Sequence, residues 1–194
     1  MNEWFYKFPK NLPDVPEDFI ERAYKSIKRN IDTTIDWEKI NQEIITINGI
    51  QLKNTAFTSY HLDEEIKEWV YKNITDKSVV NVRVAESETS EQDVRDFKGA
   101  HCDSSRLYTL LYLLESGGDD HETMFYQEKG YPIVRHKGHR VFNHDVLTEI
   151  CSVKIPLRKW CVLNSAILHG VRNIPKKRIS IQIGLDSIEG LTLD

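Results

Sequence analysis

The chain of 194 residues has no apolar run of about 18 residues, so the sequence predicts no transmembrane helix. The opening segment, Met-Asn-Glu-Trp-Phe-Tyr-Lys, lacks the apolar centre and cleavage pattern of a signal peptide. Cysteine is scarce: Cys102, Cys151 and Cys161 are an odd number and lack the spacing of a zinc site. Free thiols are typical of a reducing compartment, so we expect a cytoplasmic protein.

An excess of basic residues is also missing. The chain has 26 Lys and Arg against 30 Asp and Glu, a formal net charge of -4. Proteins that bind the phosphate backbone of nucleic acids are usually basic, so we do not expect a nucleic-acid partner. No Gly-rich phosphate loop, Gly-x-Ser-x-Gly elbow or Cys-x-x-Cys pair occurs, which excludes the function classes that those motifs mark.

The composition that remains is that of a globular protein. Hydrophobic residues make up 40% and charged residues 29% of the chain. A chain of this length buries a sizeable core in one domain, so we expect residues 1–194 to form a single domain.

The N-terminal part combines an arm, two helices and a hairpin. Residues 1–16 contain three prolines and four aromatic residues, which favours an extended arm packed on the body. Apolar residues recur at helical spacing in 16–30 and again in 62–73. Between these segments, Asn48-Gly49 separates two apolar runs in 43–60, which is a strong signal for a hairpin of two strands.

The rest of the chain has the pattern of strands. Strands are predicted for seven segments: Ser78–Ala85, Arg106–Glu115, Glu122–Gln127, Arg140–Phe142, Glu149–Ile155, Trp160–Leu163 and Arg178–Leu185. Two helices followed by many short strands predict a mainly β fold with helices packed against a sandwich or barrel.

Three short motifs carry candidate chemistry. His101 and Asp103 are two residues apart before a strand, so on an extended backbone they point to the same side. With His169 they form a set of two His and one carboxylate, which holds Fe(II) and leaves open positions. Nine residues after His169 come Arg178 and Ser180, which share a strand face and suit a bound carboxylate. The alternatives are a surface turn for Asp103, a core histidine for His169 and a solvated strand arginine for Arg178.

In this order and spacing, the motifs resemble those of the Fe(II)- and 2-oxoglutarate-dependent oxygenases, particularly the prolyl-hydroxylase-like branch. The resemblance covers roughly residues 78–186. It implies a double-stranded β-helix, or jelly-roll, catalytic core in 76–194, with 1–75 as helical N-terminal support. It also implies His101, Asp103 and His169 as iron ligands, and Arg178 and Ser180 as the site for the C5 carboxylate of 2-oxoglutarate.

The resemblance suggests roles for two further segments. Tyr112 resembles the strand tyrosine that helps to hold the same carboxylate, with Tyr108 on the same face as a secondary candidate; the alternative is a core tyrosine. The segment 121–125, His-Glu-Thr-Met-Phe, resembles the family's Gly-Gly-Glu-Thr-x-Phe, although Asp120 and His121 stand where glycines are usual. That departure predicts a differently shaped loop.

The implied activity is that of a 2-oxoglutarate-dependent dioxygenase, which uses Fe(II) and O2 to hydroxylate a substrate C–H and releases succinate and CO2. The branch favours a protein side chain as substrate, with proline the first expectation. A free amino acid, another small molecule and a nucleobase stay open. A rival from another class is a catalytically silent jelly-roll binding module, since a fold does not fix a function.

Two polar segments remain. Residues 86–98 carry five acids and two bases, which predicts a mobile surface loop ahead of the iron ligands. Such a loop is either a plain connection or an acidic lid, and a lid would favour a Lys/Arg-rich protein segment as substrate. His136, His139 and His144 could chelate a metal, but interleaved basic residues favour a solvated loop.

Overall fold

The fold is described from a computed structural model of the protein. It describes residues 4–31, 44–47, 50–53, 56–75, 79–88, 100–103, 106–129, 135–136, 140–141 and 147–194. Within these ranges the chain is mainly β, with two helices. The helices are α1 (Glu17–Ile31) and α2 (Glu64–Asn73).

Most of the strands belong to two antiparallel sheets. The strands are β1 (Tyr6–Lys7), β2 (Ile44–Ile47), β3 (Ile50–Lys53), β4 (Ala56–His61), β5 (Val79–Glu88), β6 (Ala100–His101), β7 (Tyr108–Ser116), β8 (Glu122–Glu128), β9 (Arg135–His136), β10 (Arg140–Val141), β11 (Leu147–Val153), β12 (Trp160–Asn164), β13 (His169–Arg172) and β14 (Arg178–Leu185). Among the described residues, the first sheet has the order β1-β12-β7-β14-β5-β4 and the second β11-β8-β13-β6-β10-β9. The strands β2 and β3 pair separately.

The two sheets pack face to face, and we call the faces that meet their inner faces. Leu111 and Leu113 of β7 share an apolar cluster with Phe125 of β8 and Val153 of β11. The residues that alternate with these inner-facing ones along the strands of the first sheet, such as Leu110 and Ile181, join a second cluster on the opposite, outer face. Because β7 is covered on both sides, its sequence is a nearly continuous apolar run rather than an alternating one.

The helices cover the outer face of the first sheet. Apolar residues of α1 and α2 pack there against β5, β7 and β14. Asp63 caps α2, since its side chain accepts a hydrogen bond of 3.2 Å from the backbone N–H of Ile66. Arg22 of α1 pairs with both Asp63 and Glu65, which links the two helices at their exposed side.

The N-terminal arm packs its rings on the body, as predicted, and lies along the first sheet. Its strand β1 pairs with β12. The ring of Trp4 stacks on Tyr108 with centroids 5.5 Å apart, and Phe5 contacts Phe125 at 5.6 Å. The arm therefore extends the sheet and closes part of the space between the inner faces.

The predicted helices and strands are largely confirmed, with ends that differ by a few residues. The antiparallel pairing of β2 and β3 agrees with the predicted hairpin, whereas its turn at 48–49 lies outside the described residues. The strands β1, β6, β9 and β13 were not predicted, because each has only two to four residues. Two strands were predicted in 43–60, whereas β2, β3 and β4 all begin there. The expected division at residue 75 is not a structural boundary, since β1 and β4 are edge strands of the first sheet.

The start of one loop was predicted too early in the chain. The segment 86–98 was predicted as a mobile connection from its polar composition, but β5 continues to Glu88 and pairs with both β4 and β14. Glu86 forms an ion pair with Lys177 at 2.5 Å. Glu86–Glu88 therefore belong to the sheet, and 89–99 lie outside the described residues.

Neither helix in the described part of the chain has the length and apolar character needed to cross a membrane.

Candidate metal centre

Two neighbouring strands of the second sheet bring His101, Asp103 and His169 together. His101 ends β6, His169 begins β13, and the two residues are directly paired in the sheet. Their rings have centroids 4.4 Å apart, and Asp103 follows β6 by two residues. One ligand-type atom from each residue lies within 4.8 Å of the others, so the predicted triad converges on one point.

His169 is prepared to donate a lone pair. Its Nδ1 lies 2.8 Å from the carbonyl oxygen of Ile167. Because a carbonyl can only accept, Nδ1 carries the proton and Nε2 is left with its lone pair. Burial lowers the pKa of His169, against the opposing charge of Asp103, so the neutral ring is favoured. A neutral, oriented imidazole is the form that binds a metal.

Asp103 is held by a network on one side. Its Oδ2 accepts from Arg106 Nε at 2.7 Å and from Thr109 Oγ1 at 3.3 Å, and Thr109 lies 2.7 Å from Ser165 Oγ. The backbone N–H of Asp103 donates to the Ser165 carbonyl at 2.9 Å. Oδ1 faces His101, 3.8 Å from its Nε2. The network orients one oxygen and leaves the other toward the histidines.

The carboxylate is also kept charged. Burial by itself would raise the pKa of Asp103, but the charge of Arg106 and the hydrogen bond that it donates hold that pKa below its usual value. Two imidazoles and one ionised carboxylate form a donor set that suits Fe(II) with open positions. The residues present therefore fit a divalent metal of this kind.

Arg178 and Ser180 share a strand face, as predicted from their spacing, and it is the inner face of the first sheet. Both are 3% exposed. Arg178 Nη2 donates to Thr123 Oγ1 of the second sheet at 3.4 Å, and Thr123 is two residues before Phe125, which pairs with His169. Ser180 Oγ accepts from Gln182 Nε2 at 3.2 Å, so its own proton is available to another acceptor. The two side chains therefore point into the space between the inner faces, toward the strand β8 that pairs with the strand of His169.

Arg178 has the features of a ligand-binding group. No Asp or Glu among the described residues pairs with it, and its Nη1 is buried without a hydrogen-bond partner. Burial lowers the pKa of Arg178 to about 10. Buried charges are normally paired, so a buried guanidinium whose one bond to the described residues is long indicates a site for an anion. A carboxylate fits such a planar fork.

Other polar residues of this space were missed from the sequence. Arg83 of β5 is directly opposite Gln182 of β14, and its Nε and Nη2 lie 3.2 and 3.0 Å from Gln182 Oε1. Two pairs further along, Gly184 faces Asn81, and a Cβ on Gly184 would lie 2.8 Å from Arg106 Cδ. Gly184 thus lets Arg106 pass toward Asp103. The one sequence signal for these residues is the alternation of polar and apolar side chains along β5 and β14.

Tyr112 is not part of this site, and its assignment is corrected. It belongs to the apolar cluster on the outer face, where its ring contacts Trp160 with centroids 4.8 Å apart. Its hydroxyl donates to Asp14 Oδ1 at 3.4 Å. Its neighbours two residues away in β7, Leu110 and Leu114, also face the helices, whereas Arg178 faces the other sheet. The core alternative is the correct one, and the same holds for Tyr108, which stacks on Trp4.

The segment 121–125 combines a structural and a lining role. His121 is 4% exposed, and its Nδ1 and Nε2 lie 2.9 and 3.0 Å from the carbonyl oxygens of Gly118 and Ile155. It ties the preceding turn to the end of β11. Thr123 contacts Arg178, and the ring of Phe125 lies 6.2 Å from that of His169.

The remaining sequence candidates lie apart from the triad or outside the described residues. Cys102 packs with Ala100 and Met124 in a cluster on the outer face of the second sheet, so it points away from the triad, as expected from alternation. All three cysteines are free. The backbone of His136 lies in β9, and the other two residues of the His cluster, 139 and 144, lie outside the described residues.

No protein-family model matches the chain, and a search of curated proteins finds no significant match.

Proposed function

We propose that the protein is an Fe(II)- and 2-oxoglutarate-dependent dioxygenase that hydroxylates a C–H bond of its substrate. The observation that carries the proposal is the combination of the His101, Asp103 and His169 triad with a buried Arg178 that has no acidic partner among the described residues. A metal site alone has many uses. A metal site beside a carboxylate-binding arginine suits a co-substrate that bridges the two.

The path of the chain supports a jelly-roll core. From β5 to β8 successive strands alternate between the first and the second sheet, and from β11 to β14 they alternate again. This double alternation is the course expected of a double-stranded β-helix. The resemblance of the motifs and the order of the strands thus favour the same fold independently.

The residues have distinct roles in this mechanism. His101, Asp103 and His169 would hold the ion, while Arg178 and Ser180 would bind the distal carboxylate of 2-oxoglutarate. When bound there, Fe(II) and 2-oxoglutarate would supply the chemistry that activates O2, with succinate, CO2 and a hydroxylated substrate as the products. Arg106 and Thr109 fix the carboxylate of Asp103 so that one oxygen faces the histidines. The apolar side chains around Phe125 keep bulk water from the space between the sheets.

The location and the substrate belong to the same proposal. Three free cysteines support a reducing, cytoplasmic environment. A protein side chain was the first expectation for the substrate, and the basic-peptide hypothesis depends on residues 89–99, which lie outside the described part of the chain. It stays a prediction that peptide assays can test.

The test is binding of Mn(II), a redox-silent substitute for Fe(II), followed by 2-oxoglutarate, measured by calorimetry. Wild type should bind one Mn(II) and then 2-oxoglutarate. His169→Ala should lose at least tenfold in Mn(II) affinity and keep its fold by circular dichroism. His121→Ala is the matched control, because it removes a buried histidine outside the triad. An unchanged Mn(II) affinity in His169→Ala would remove the metal assignment.

Formation of succinate from 2-oxoglutarate with Fe(II) and O2 then separates an enzyme from a binding module. A protein that binds both ligands but forms no succinate, alone or with any substrate tested, would favour the silent jelly-roll alternative.

A further inference from the structure

The N-terminal arm reaches the candidate metal centre through a single aromatic ring, that of Phe125. This residue of β8 is directly paired with His169 of β13, and the two rings have centroids 6.2 Å apart. The same ring also contacts Phe5 and Tyr6 of the arm, with centroids at 5.6 and 6.4 Å. A proposed metal ligand near the end of the chain and two residues at its start therefore contact one common side chain.

Phe125 is enclosed by its neighbours. Its side chain is 0% exposed and belongs to the cluster between the inner faces, against which Phe5 and Tyr6 pack partly buried. Protein interiors are close-packed, so a ring removed from such a cluster leaves a space into which the neighbouring side chains relax. Loss of the rings of the arm would therefore let Phe125 shift relative to His169.

The orientation of His169 depends on this contact. The hydrogen bond from Nδ1 to the carbonyl oxygen of Ile167 fixes one edge of the imidazole. Within the described part of the chain, its ring contacts two other rings, those of His101 and Phe125. His101 is itself a proposed ligand, so Phe125 is the support that limits rotation of the imidazole about its hydrogen bond. A metal site tolerates only small displacements of its ligand atoms, so this support affects metal affinity.

The arm is attached to the first sheet by a short element with contacts on two faces. Its strand β1 has two residues, and the backbone N–H of Asn164 in β12 donates to the carbonyl oxygen of Phe5 at 2.9 Å. Trp4 stacks on Tyr108 and packs against the cluster of the outer face. A two-residue strand at the edge of a sheet can open locally without global unfolding. The two groups of contacts can therefore be removed separately.

We propose that Phe5 and Tyr6 are positioning residues of the metal centre, which act through Phe125 on His169 and couple docking of the arm to metal binding. The inference rests on the metal site of the proposed function and does not depend on 2-oxoglutarate or on the substrate. Such a coupling is reciprocal: an arm that strengthens metal binding is itself held more tightly when the metal is bound. Residues along a contact path of this kind change the coupling by about twofold to thirtyfold.

The first measurement is the affinity for Mn(II), determined by calorimetry. The double variant Phe5→Leu/Tyr6→Leu keeps apolar side chains but removes both rings, and it should bind Mn(II) about fivefold more weakly than wild type. Tyr6→Phe keeps the ring and should stay within twofold of wild type. Trp4→Leu is the matched control, because it removes a ring of the same arm that contacts the outer face, and it should also stay within twofold.

The second measurement is amide hydrogen exchange of the arm with and without Mn(II), followed by mass spectrometry on peptides that span 4–8 and 160–164. These peptides report opening of the arm, because the amide of Asn164 is bonded to Phe5. Mn(II) should slow their exchange about fivefold in wild type and in Trp4→Leu, but less than twofold in the double variant. Rings with a purely structural role would change exchange by the same factor with and without the metal.

Three results would overturn the inference. These are Mn(II) affinity of the double variant within twofold of wild type, exchange of the wild-type arm that is the same with and without Mn(II), and a loss of affinity in Trp4→Leu equal to that of the double variant. The last result would assign the effect to the arm as a whole and reject the path through Phe125. If the double variant does not fold, Tyr6→Leu compared with Tyr6→Phe decides by the same criteria.

Failure of the inference is distinguishable from failure of the proposed function. Wild type that binds no Mn(II) would refute the metal centre, and the inference with it. Wild type that binds Mn(II) with an affinity independent of Phe5 and Tyr6 would refute the inference alone.

Discussion

Replacing Arg178 with methionine should abolish binding of 2-oxoglutarate and, at the same time, stabilise the ligand-free protein. Methionine keeps most of the length of the side chain and removes a buried charge whose one hydrogen bond within the described part of the chain, to Thr123, is 3.4 Å long. Burial lowers the pKa of Arg178 from 12.5 to about 10, which corresponds to about 3 kcal/mol spent on keeping the group charged. We therefore expect the free energy of unfolding to rise by about 1–3 kcal/mol.

Arg106→Met is the matched variant, and its effect should have the opposite sign. Arg106 is as buried as Arg178, but its Nε donates to Asp103 Oδ2 at 2.7 Å. Removing it leaves a largely buried carboxylate without its main partner, which should lower the free energy of unfolding by about 3 kcal/mol. Mn(II) should recover much of this loss, because the ion replaces the missing positive charge.

The assay is urea unfolding in EDTA for the three proteins, repeated with Mn(II) and 2-oxoglutarate. A ligand at a hundredfold excess over its Kd stabilises wild type by about 2.7 kcal/mol. Arg178→Met should not be stabilised by 2-oxoglutarate at all. If Arg178→Met is destabilised like Arg106→Met, the guanidinium has a structural role and the reasoning fails. Normal 2-oxoglutarate binding by Arg178→Met would place the anchor elsewhere.

Three further predictions concern single groups. Tyr112→Phe removes a 3.4 Å bond to Asp14 on the outer face, so calorimetry should show unchanged affinity for 2-oxoglutarate; a tenfold loss would restore its assignment to the site. Thr109→Val removes a hydrogen bond to Asp103, and calorimetry should show Mn(II) affinity lower by about tenfold with the fold retained. Burial raises the pKa of Cys161 from 9.0 to about 12, so its contribution to stability is present below pH 9 and is lost toward pH 12. Between pH 8 and 10, urea unfolding should show about 1.4 kcal/mol more loss in wild type than in Cys161→Ala, and equal losses would contradict this.

Part of the triad could be predicted from the sequence because two of its members, His101 and Asp103, are neighbours in the chain. Two side chains at i and i+2 on an extended backbone share a side whatever the rest of the fold does, which fixed His101 and Asp103 as a pair. The same rule paired Arg178 with Ser180. The structure brings His169 to the first pair through the strand β13, which has four residues and no apolar run and was not recognised as a strand.

The wrong assignment of Tyr112 has a physical cause. In β7 leucines occupy positions 110, 111, 113 and 114, so both faces are apolar and the hydrophobic pattern does not mark which face meets the other sheet. A shift of one residue in the assumed phase transfers every side chain to the opposite face. Arg83 and Gln182 were missed for a related reason: their contact depends on the register between β5 and β14, which are about a hundred residues apart in the chain.

Arg106 and Arg178 show why a partner, rather than burial or a motif, identifies the anion site. Both are buried arginines on the inner side of the fold, and both lie within ten residues of a proposed metal ligand. Each of the two leaves its Nη1 buried without a hydrogen-bond partner, but Arg106 is balanced by the carboxylate of Asp103, whereas Arg178 reaches only a threonine hydroxyl among the described residues. Because a folded chain rarely keeps an unbalanced buried charge without a use for it, the imbalance at Arg178 supports a bound anion independently of any resemblance. Whether each arginine has an acidic partner depends on how the chain folds around it. The folded structure was therefore needed to tell the two arginines apart.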